Sequence, residues 1–326
     1  MRDISINDIE DFRIGQTENK EAGTGCTVII SEKGVAAGVD IRGGGPASRE
    51  CELLRPFSTA EVIHALVLGG GSTFGLDASG GVLKYLEEKG VGFDMGITHI
   101  PQVCQSDIFD LTVGDAMIRP DKEMGYQACI NSEKRNYKDG NYGAGCGATV
   151  GKWMGMDQCM KTGIGSAAVS LDTKEGELKL GAVVAVNAIG DIFDPDNGKM
   201  IAGLLSEDGR SFLNTEQMMY EAAEIKDNSF AGNTTIGAIL TNAAFDKIKL
   251  SKIASMAHNG YARCIRPVHT AMDGDSIYAL SSGKVKADID MIGTLAAHVM
   301  SMAIVKAVKR AKGAYGHPGY ADMDLA

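Results

Sequence analysis

The chain has 326 residues, 44% of them hydrophobic and 23% charged, a balance ordinary for soluble globular proteins that argues against disorder or a fibrous repeat. Its formal net charge of -10 opposes a phosphate backbone, whose binding depends on Lys and Arg, so no nucleic-acid partner is expected. Length alone allows one large domain or two ordinary ones. The first residues, MRDISINDIEDFRIGQTENKEAGTG, lack the apolar core of a signal peptide. No stretch reads as a bilayer span, and the expectation is a cytoplasmic protein with no membrane partner. Cys26, Cys51, Cys104, Cys129, Cys146, Cys159 and Cys264 are odd in number and hold no C-x-x-C pair. They read as reduced, mostly buried thiols, not as a disulfide framework or zinc site. His64, His99, His258, His269, His298 and His317 stand in no metal-ligand frame, so neither metal nor cofactor is expected.

In chain order, CTVIISEKG alternates and ends in a turn, and VAAGVDIRGGGP follows; together they predict a β-hairpin. STAEVIHALVLGGG predicts a helix, capped by Ser58 or Thr59, and His64 falls within it as an ordinary side chain. LDASGGVLKYLEEKG predicts a second helix, so that two helices flank Gly69, Gly70 and Gly71. Short strands are expected around DIFDL and a helix plus loop over DKEMGYQACINSEKRNYKDGNYG. GAVVAVNAIGDIFDP is a continuous β-branched run that predicts a buried strand. The polar segment SEDGRSFLNTEQMMYEAAEIKDNSFAGN is the best candidate for an exposed linker. TTIGAILTNA, DKIKLSKIASMAHNGYARCI, DSIYALSSG and DMIGTLAAHVMSMAIVKAVKRAKG then predict a compact β-α-β-α unit, its last helix ending in Lys and Arg as the helix dipole favours. His298 falls in that helix.

Three constellations could carry chemistry. The polar approach DNSFAGN leads straight into the strand TTIGAIL. A cut between Asn233 and Thr234 would free an α-amine, with a pKa near ~8, to activate the Thr234 hydroxyl as nucleophile. On pattern alone, a Thr opening a strand is more often simply a strand former. Asp273 and Asp275, in MDGDSIYAL, alternate on an extended segment and would face one site. A plain D-G turn before a strand is the competing reading. Lys152 and Lys161 lie among glycines in GAGCGATVGKWMGMDQCMKTGIGSAAVSL, but the phosphate-loop frame fails at Trp153, where Ser or Thr is needed. LGGGSTFGLDASGG likewise has no strand-led dinucleotide frame; close packing or an oxyanion pocket is the better use of its glycines.

The phrases IRGGGPASRE, LVLGGGSTFGLDASGGVLKYLEEKG, NYGAGCGATVGK, KTGIGSAA, VVAVNAIGD, GNTTIGAILTNA and MDGDSIYAL run in family order from about residue 25 to 305. Together they resemble the self-processing L-aminopeptidase/D-esterase family, which also contains β-aminopeptidases and the nylon-oligomer (6-aminohexanoate oligomer) endo-hydrolase. The resemblance implies an α/β fold of the N-terminal-nucleophile type, a four-layer αββα sandwich built as one domain over residues 1–326. It implies autocleavage at Asn233-Thr234 into an α chain, 1–233, and a β chain, 234–326. Thr234 would be the nucleophile, Asp273 and Asp275 would position it, and Asn187 would donate to the oxyanion. Lys161 and Tyr142 would complete the site, with Lys152 the alternative lysine. The Thr and the D-G-D pair look more like the nylon-oligomer hydrolase branch than the Ser-dependent aminopeptidases. Cys146 stands where related chains commonly carry Thr, which bears on substrate preference. The implied activity is hydrolysis of amide bonds in small peptides or ω-amino-acid oligomers through an acyl-enzyme, by a homo-oligomer, a tetramer of αβ protomers. Two other readings are an acyl transferase similar to ornithine acetyltransferase and an uncut, non-catalytic binding protein.

Overall fold

Apolar runs become strands here, and the parity of each residue decides which of two cores its side chain joins. In a computed structural model describing residues 1–222 and 232–323, the principal strands are β1 (Arg13–Asn19), β2 (Thr24–Ile41), β3 (Ile63–Gly69), β4 (Val103–Asp107), β5 (Ile164–Thr173), β6 (Gly176–Asn187), β7 (Thr234–Ala243) and β8 (Ser276–Val285). The helices are α1 (Ala78–Glu88), α2 (Lys122–Ser132), α3 (Thr215–Ala222), α4 (Lys247–Cys264) and α5 (Ile289–Arg310). One run of strands is ordered β5-β6-β7-β8-β2 and continues through β3 to β4, with β1 on the other side of β2. Pairing is antiparallel except at β7-β8 and β3-β4, whose partners are joined by crossovers carrying α4 and α1.

The expected hairpin over residues 26–46 is instead one 18-residue strand, β2, that passes from one sheet to the other. Its first part, Thr24–Ile30, pairs with β1 and β3, while Ala36–Ile41 pairs with β8. Register slips between Ile30 and Val35, around Gly34 with φ +72°. The turn signal of S-E-K-G thus bends the strand without reversing it. Two sheets result, packed face to face.

Alternation along β6 shows the layering. Leu180, Ala182, Val184 and Val186 join a core with Ile253, Ala257 and Tyr261 of α4 and Val299 and Ile304 of α5. Val183 and Ala185, pointing the other way, join a middle core with Ile236, Ala238 and Leu240 of β7 and with Ile29, Leu66 and Leu68 of the second sheet. Val28, Ile30, Ala65 and Val67 face outward again, onto Val82 and Leu86 of α1 and Ala128 and Cys129 of α2. The order is helix, sheet, sheet, helix: the αββα sandwich. A Leu240→Ala change in the middle core would cost about 2–5 kcal/mol.

Further expectations are corrected. STAEVIHALVLGGG holds the strand β3, not a helix, and His64 lies on it. All seven of its residues are buried, so the run has no polar face to mark its period. A strand, a 3-10 turn (Ser72–Asp77) and α1 therefore flank the glycines. β4 ends at Asp107 and most of DIFDL is loop. Within the expected linker, α3 forms and is anchored by Asp191, whose carboxylate accepts from the Thr215 N–H and hydroxyl at 2.7 Å each; residues 223–231 of that segment lie outside the described residues. The β-α-β-α run β7-α4-β8-α5 is present. Asp246 and Asp288 cap its two helices through side-chain acceptors. Contrary to the sequence reading, α5 is long and apolar enough to cross a membrane by length and composition. Here its apolar residues pack against α4 and the first sheet.

Candidate active site

The site lies where β6 ends and β7 begins. Asn187, last of β6, pairs directly with Thr234, first of β7. One residue earlier, Asn233 forms a parallel bridge with Asp273, which leads into β8. Both junctions are buried: Asn187, Asn233, Thr234, Asp273 and Asp275 expose 4% or less of their surface. The D-G-D segment is therefore not a solvent turn. The Gly274 N–H donates to the Asn233 carbonyl at 2.9 Å, and the Thr234 hydroxyl donates to the same oxygen. Two donors thus converge on the carbonyl of the peptide bond that precedes Thr234.

Glycine makes this approach possible. A Cβ on Gly274 would stand 2.8 Å from the Thr234 Oγ1 and 2.8 Å from the Gly45 carbonyl. The I-R-G-G-G phrase lies against the same segment. Gly45 N–H donates to the Asp273 carbonyl at 2.8 Å and Arg42 N–H to the Asp275 carbonyl at 2.9 Å. A Cβ on Gly43 would meet the backbone of Asp273 and Asp275 at 2.3 Å, a clash no side chain survives.

The two carboxylates are fixed separately. Asp273 Oδ2 accepts from the Thr270 hydroxyl at 2.6 Å and N–H at 2.9 Å. Asp275 Oδ1 accepts from the Thr235 N–H at 2.7 Å, tying the start of β7 to the D-G-D segment. Burial, and then the neighbouring charge of Asp275, raise the Asp273 carboxyl above the ordinary carboxylate range.

The two lysines differ. Lys152 Nζ donates to Asn187 Oδ1 at 2.9 Å and to the Asn187 carbonyl at 3.1 Å, and reaches the Gly232 carbonyl at 3.5 Å. Burial lowers it to about 8, opposed by charges that include Asp273. Lys161 Nζ donates to the carbonyls of Gly145 at 3.1 Å, Ala148 at 3.0 Å and Thr162. Burial lowers it to about 7, opposed by the charges of Cys146 and Asp110. Lys152 is thus the lysine bonded around the Asn233-Thr234 junction, and Lys161 braces the glycine loop behind it. Tyr142 is not brought to Thr234. It lines a separate cavity of about 380 Å³ with Cys146, Tyr315 and Lys20, its ring facing Lys20 and Lys138. Asn187 is held on both amide atoms: Oδ1 accepts from the Thr149 N–H at 3.1 Å, and Nδ2 donates to the Phe109 carbonyl at 2.9 Å.

Thr234 opens onto a cavity of about 490 Å³ lined by Gly44, Pro46, Ser72, Thr73, Asp107, Phe109 and Met272 among others. Asp107 was not singled out in the sequence. It is buried, its carboxylate accepts from Gln105 Nε2 at 2.8 Å and 3.1 Å, and burial pushes its carboxyl well above the usual range. Asp110 pins the glycine run behind it through the Gly71 N–H at 2.7 Å and the Thr24 hydroxyl at 2.7 Å. Thr270, also missed, stands three residues before Asp273, a spacing at which a hydroxyl folds back on a short polar turn. Among the described residues no group of three His, Cys, Asp or Glu side chains could hold a metal ion.

This arrangement has relatives. The model of peptidase family S58 matches residues 5–321. An uncharacterized aminopeptidase of Mycobacterium leprae is 34% identical over 98% of this chain and 94% of its own. A 6-aminohexanoate-oligomer endohydrolase of Agromyces sp. is 30% identical over 94% of this chain and 87% of its own. Among solved structures, the L-aminopeptidase D-Ala-esterase/amidase of Ochrobactrum anthropi, described as a variant of the Ntn hydrolase fold, superposes with a TM-score of 0.69 at 16% identity, covering 94% of this chain and 86% of that one. At that identity the likeness bears on the fold, and it is the same sandwich. With a matched family model over nearly its whole length and amide-cleaving relatives at this level of identity, the chain belongs to peptidase family S58 and is a hydrolase of peptide or amide bonds.

Proposed function

We propose that the chain cuts its own backbone between Asn233 and Thr234, and that Thr234, then an amino-terminal residue, is the nucleophile for amide substrates. The observation that carries this is the pair of donors on the Asn233 carbonyl: the Thr234 hydroxyl itself and the Gly274 N–H. The attacking oxygen is already beside the bond to be cut, and a fixed N–H waits where negative charge would develop.

The steps are those of ordinary acyl transfer. The Thr234 hydroxyl gives up its proton, Oγ1 bonds to the Asn233 carbonyl carbon, and the C–N bond breaks as the nitrogen takes a proton. This leaves an ester and a free α-amine. Water then hydrolyses the ester, releasing Asn233 as a carboxylate. The same Oγ1 repeats the attack on a substrate amide, with its own α-amine as an added base. The hydrogen bonds of Lys152 to Asn187 and Gly232 support it, over Lys161, as the group that carries the proton. An ammonium lowered to about 8 is partly neutral at working pH and can accept.

The substrates are small peptides or ω-amino-acid oligomers. Asp107 in the cavity wall supports this: it is a buried carboxylate with no cation bonded to it among the described residues, and a substrate ammonium would supply its counter-charge. The experiment is rapid acid quench of the mature protein with a short ω-amino-acid oligomer, followed by mass measurement of the 234–326 piece. An acyl adduct on Thr234 is expected. Turnover with no adduct, and equal turnover by Thr234→Ala, would remove Thr234 from the chemistry.

A further inference from the structure

Asp275 is gripped from two sides. While Oδ1 holds the Thr235 N–H, Oδ2 accepts from the His269 main-chain N–H at 3.1 Å and lies 2.9 Å from the His269 Nδ1. An ionised carboxylate can only accept, so Nδ1 carries the hydrogen it shares with Asp275. Nε2 is buried and has no hydrogen-bond partner among the described residues. The ring cannot swing away: it meets His258 edge-on at 4.7 Å between centroids and stacks on Tyr261 at 6.0 Å. His258 is itself fixed through Nε2 on the Asp40 carbonyl at 3.0 Å. The backbone of His269 sits in the left-handed region at φ +58°, where His and Asn are among the few tolerated side chains. That conformation aims both the main-chain N–H and Nδ1 at one carboxylate oxygen.

We propose that His269 is a positioning residue for self-cleavage and turnover. It does not touch Thr234. By fixing the rotamer of Asp275 it holds the Thr235 amide, and through it sets the Thr234 backbone against Asn187 and the D-G-D segment. The inference rests on the reading of Thr234 as nucleophile. It assigns a role to the His-Thr pair of H-T-A-M-D-G-D: Thr270 fixes Asp273 and His269 fixes Asp275.

The test compares the rate at which the 234–326 piece appears, by denaturing intact mass, in His269→Ala and His269→Asn. Asn accepts the left-handed backbone and can place a side-chain N–H where Nδ1 stands, but it fills none of the ring's space. Hydrogen bonds to charged groups are worth about 1.5–3 kcal/mol, so loss of the donor in His269→Ala should slow processing by about 10–100-fold. His269→Asn should recover most of that loss. Processing by His269→Ala at the wild-type rate, or His269→Asn no faster than His269→Ala, would overturn the proposal, since a ring that only packs is not restored by Asn. Should His269→Ala not fold, His269→Gln replaces it in the comparison: its donor sits farther from the backbone, and it should process more slowly than His269→Asn. Thr234→Ala separates the two claims. If that variant is still cut, the nucleophile reading fails; if it is not cut while His269→Ala matches wild type, only the role of His269 fails.

Discussion

Lys152 and Asn187 are joined twice, Nζ standing 2.9 Å from the side-chain oxygen and 3.1 Å from the main-chain oxygen of the asparagine that pairs with Thr234. A lysine in the loop after one glycine phrase is thereby locked to the end of a central strand, beside the Asn233-Thr234 bond. Asn187 is in turn the hub of this corner, bonded also to Thr149 and Phe109. Asn187→Ala takes away the side-chain acceptor that holds the Lys152 ammonium and is expected to slow processing by about 10–100-fold, the cost of losing a hydrogen bond to a charged group. The time course of precursor loss on denaturing gels checks this, and a wild-type rate removes Asn187 from the chemistry.

With Lys152 as the proposed proton carrier, its protonation should set the pH dependence of processing. Burial lowers its ammonium to about 8, and the neutral amine, the form able to accept the Thr234 proton, gains population as pH rises. The processing rate should therefore climb through about pH 8 and level off above it. Lys152→Arg stays charged, with a pKa above ~12, and should lose that rise and process slowly at every pH. A rate profile for both proteins from weakly acid to alkaline buffer decides the matter.

Lys161 should behave oppositely. Its three bonds go to main-chain carbonyls of the glycine loop, and Lys161→Met leaves those acceptors without their donor. The expected result is a loss of about 1–3 kcal/mol of stability, read as a lower midpoint in urea, with processing retained. Processing abolished in a stably folded Lys161→Met would assign the proton-carrying role to this residue instead.

Gly274 leaves no room for a side chain. In Gly274→Ala the new Cβ would press on the Thr234 Oγ1 and the Gly45 carbonyl, each 2.8 Å away. Precursor should accumulate even in folded protein, and circular dichroism with intact mass on one sample separates stalled cleavage from misfolding.

Asp107 supplies the substrate test. Asp107→Asn keeps the shape but cannot ionise against a substrate ammonium, so KM for an oligomer with a free amine should rise about tenfold, the cost of ~1.4 kcal/mol. An uncharged amide of the same length should be turned over as before.

Much of this was legible in the sequence because local pattern and local chemistry coincide. The α1 and α5 helices and the β6 strand each sit in a run whose period or turn chemistry points to them, whereas the Asn233-Thr234 junction stands out through the family resemblance. Asp273 and Asp275 both stand at the start of β7, beside Asn233 and Thr235, with each carboxylate bonded to its own partners. What failed needed knowledge of neighbours. β3 is buried on both faces, so its apolar run carries no period to tell strand from helix. β2 reads as a hairpin because nothing local says that its two halves pair with different sheets. Lys152 and Lys161 both follow glycine phrases, and only the folded loop shows which one reaches Asn187. Tyr142 borders the same G-A-G phrase yet opens on another cavity. Asp107 and His269 gain meaning from packing across elements, which no spacing in the sequence encodes.

The central claim, self-cleavage before Thr234, is tested most directly by intact mass of the purified protein under denaturing conditions, beside Thr234→Ala. The wild-type chain should yield two pieces, residues 1–233 and 234–326, the second beginning Thr-Thr-Ile-Gly, while Thr234→Ala stays at 34.3 kDa less the hydroxymethylene change. A wild-type chain that remains whole through prolonged incubation, or a Thr234→Ala chain cut at the same bond, would contradict it.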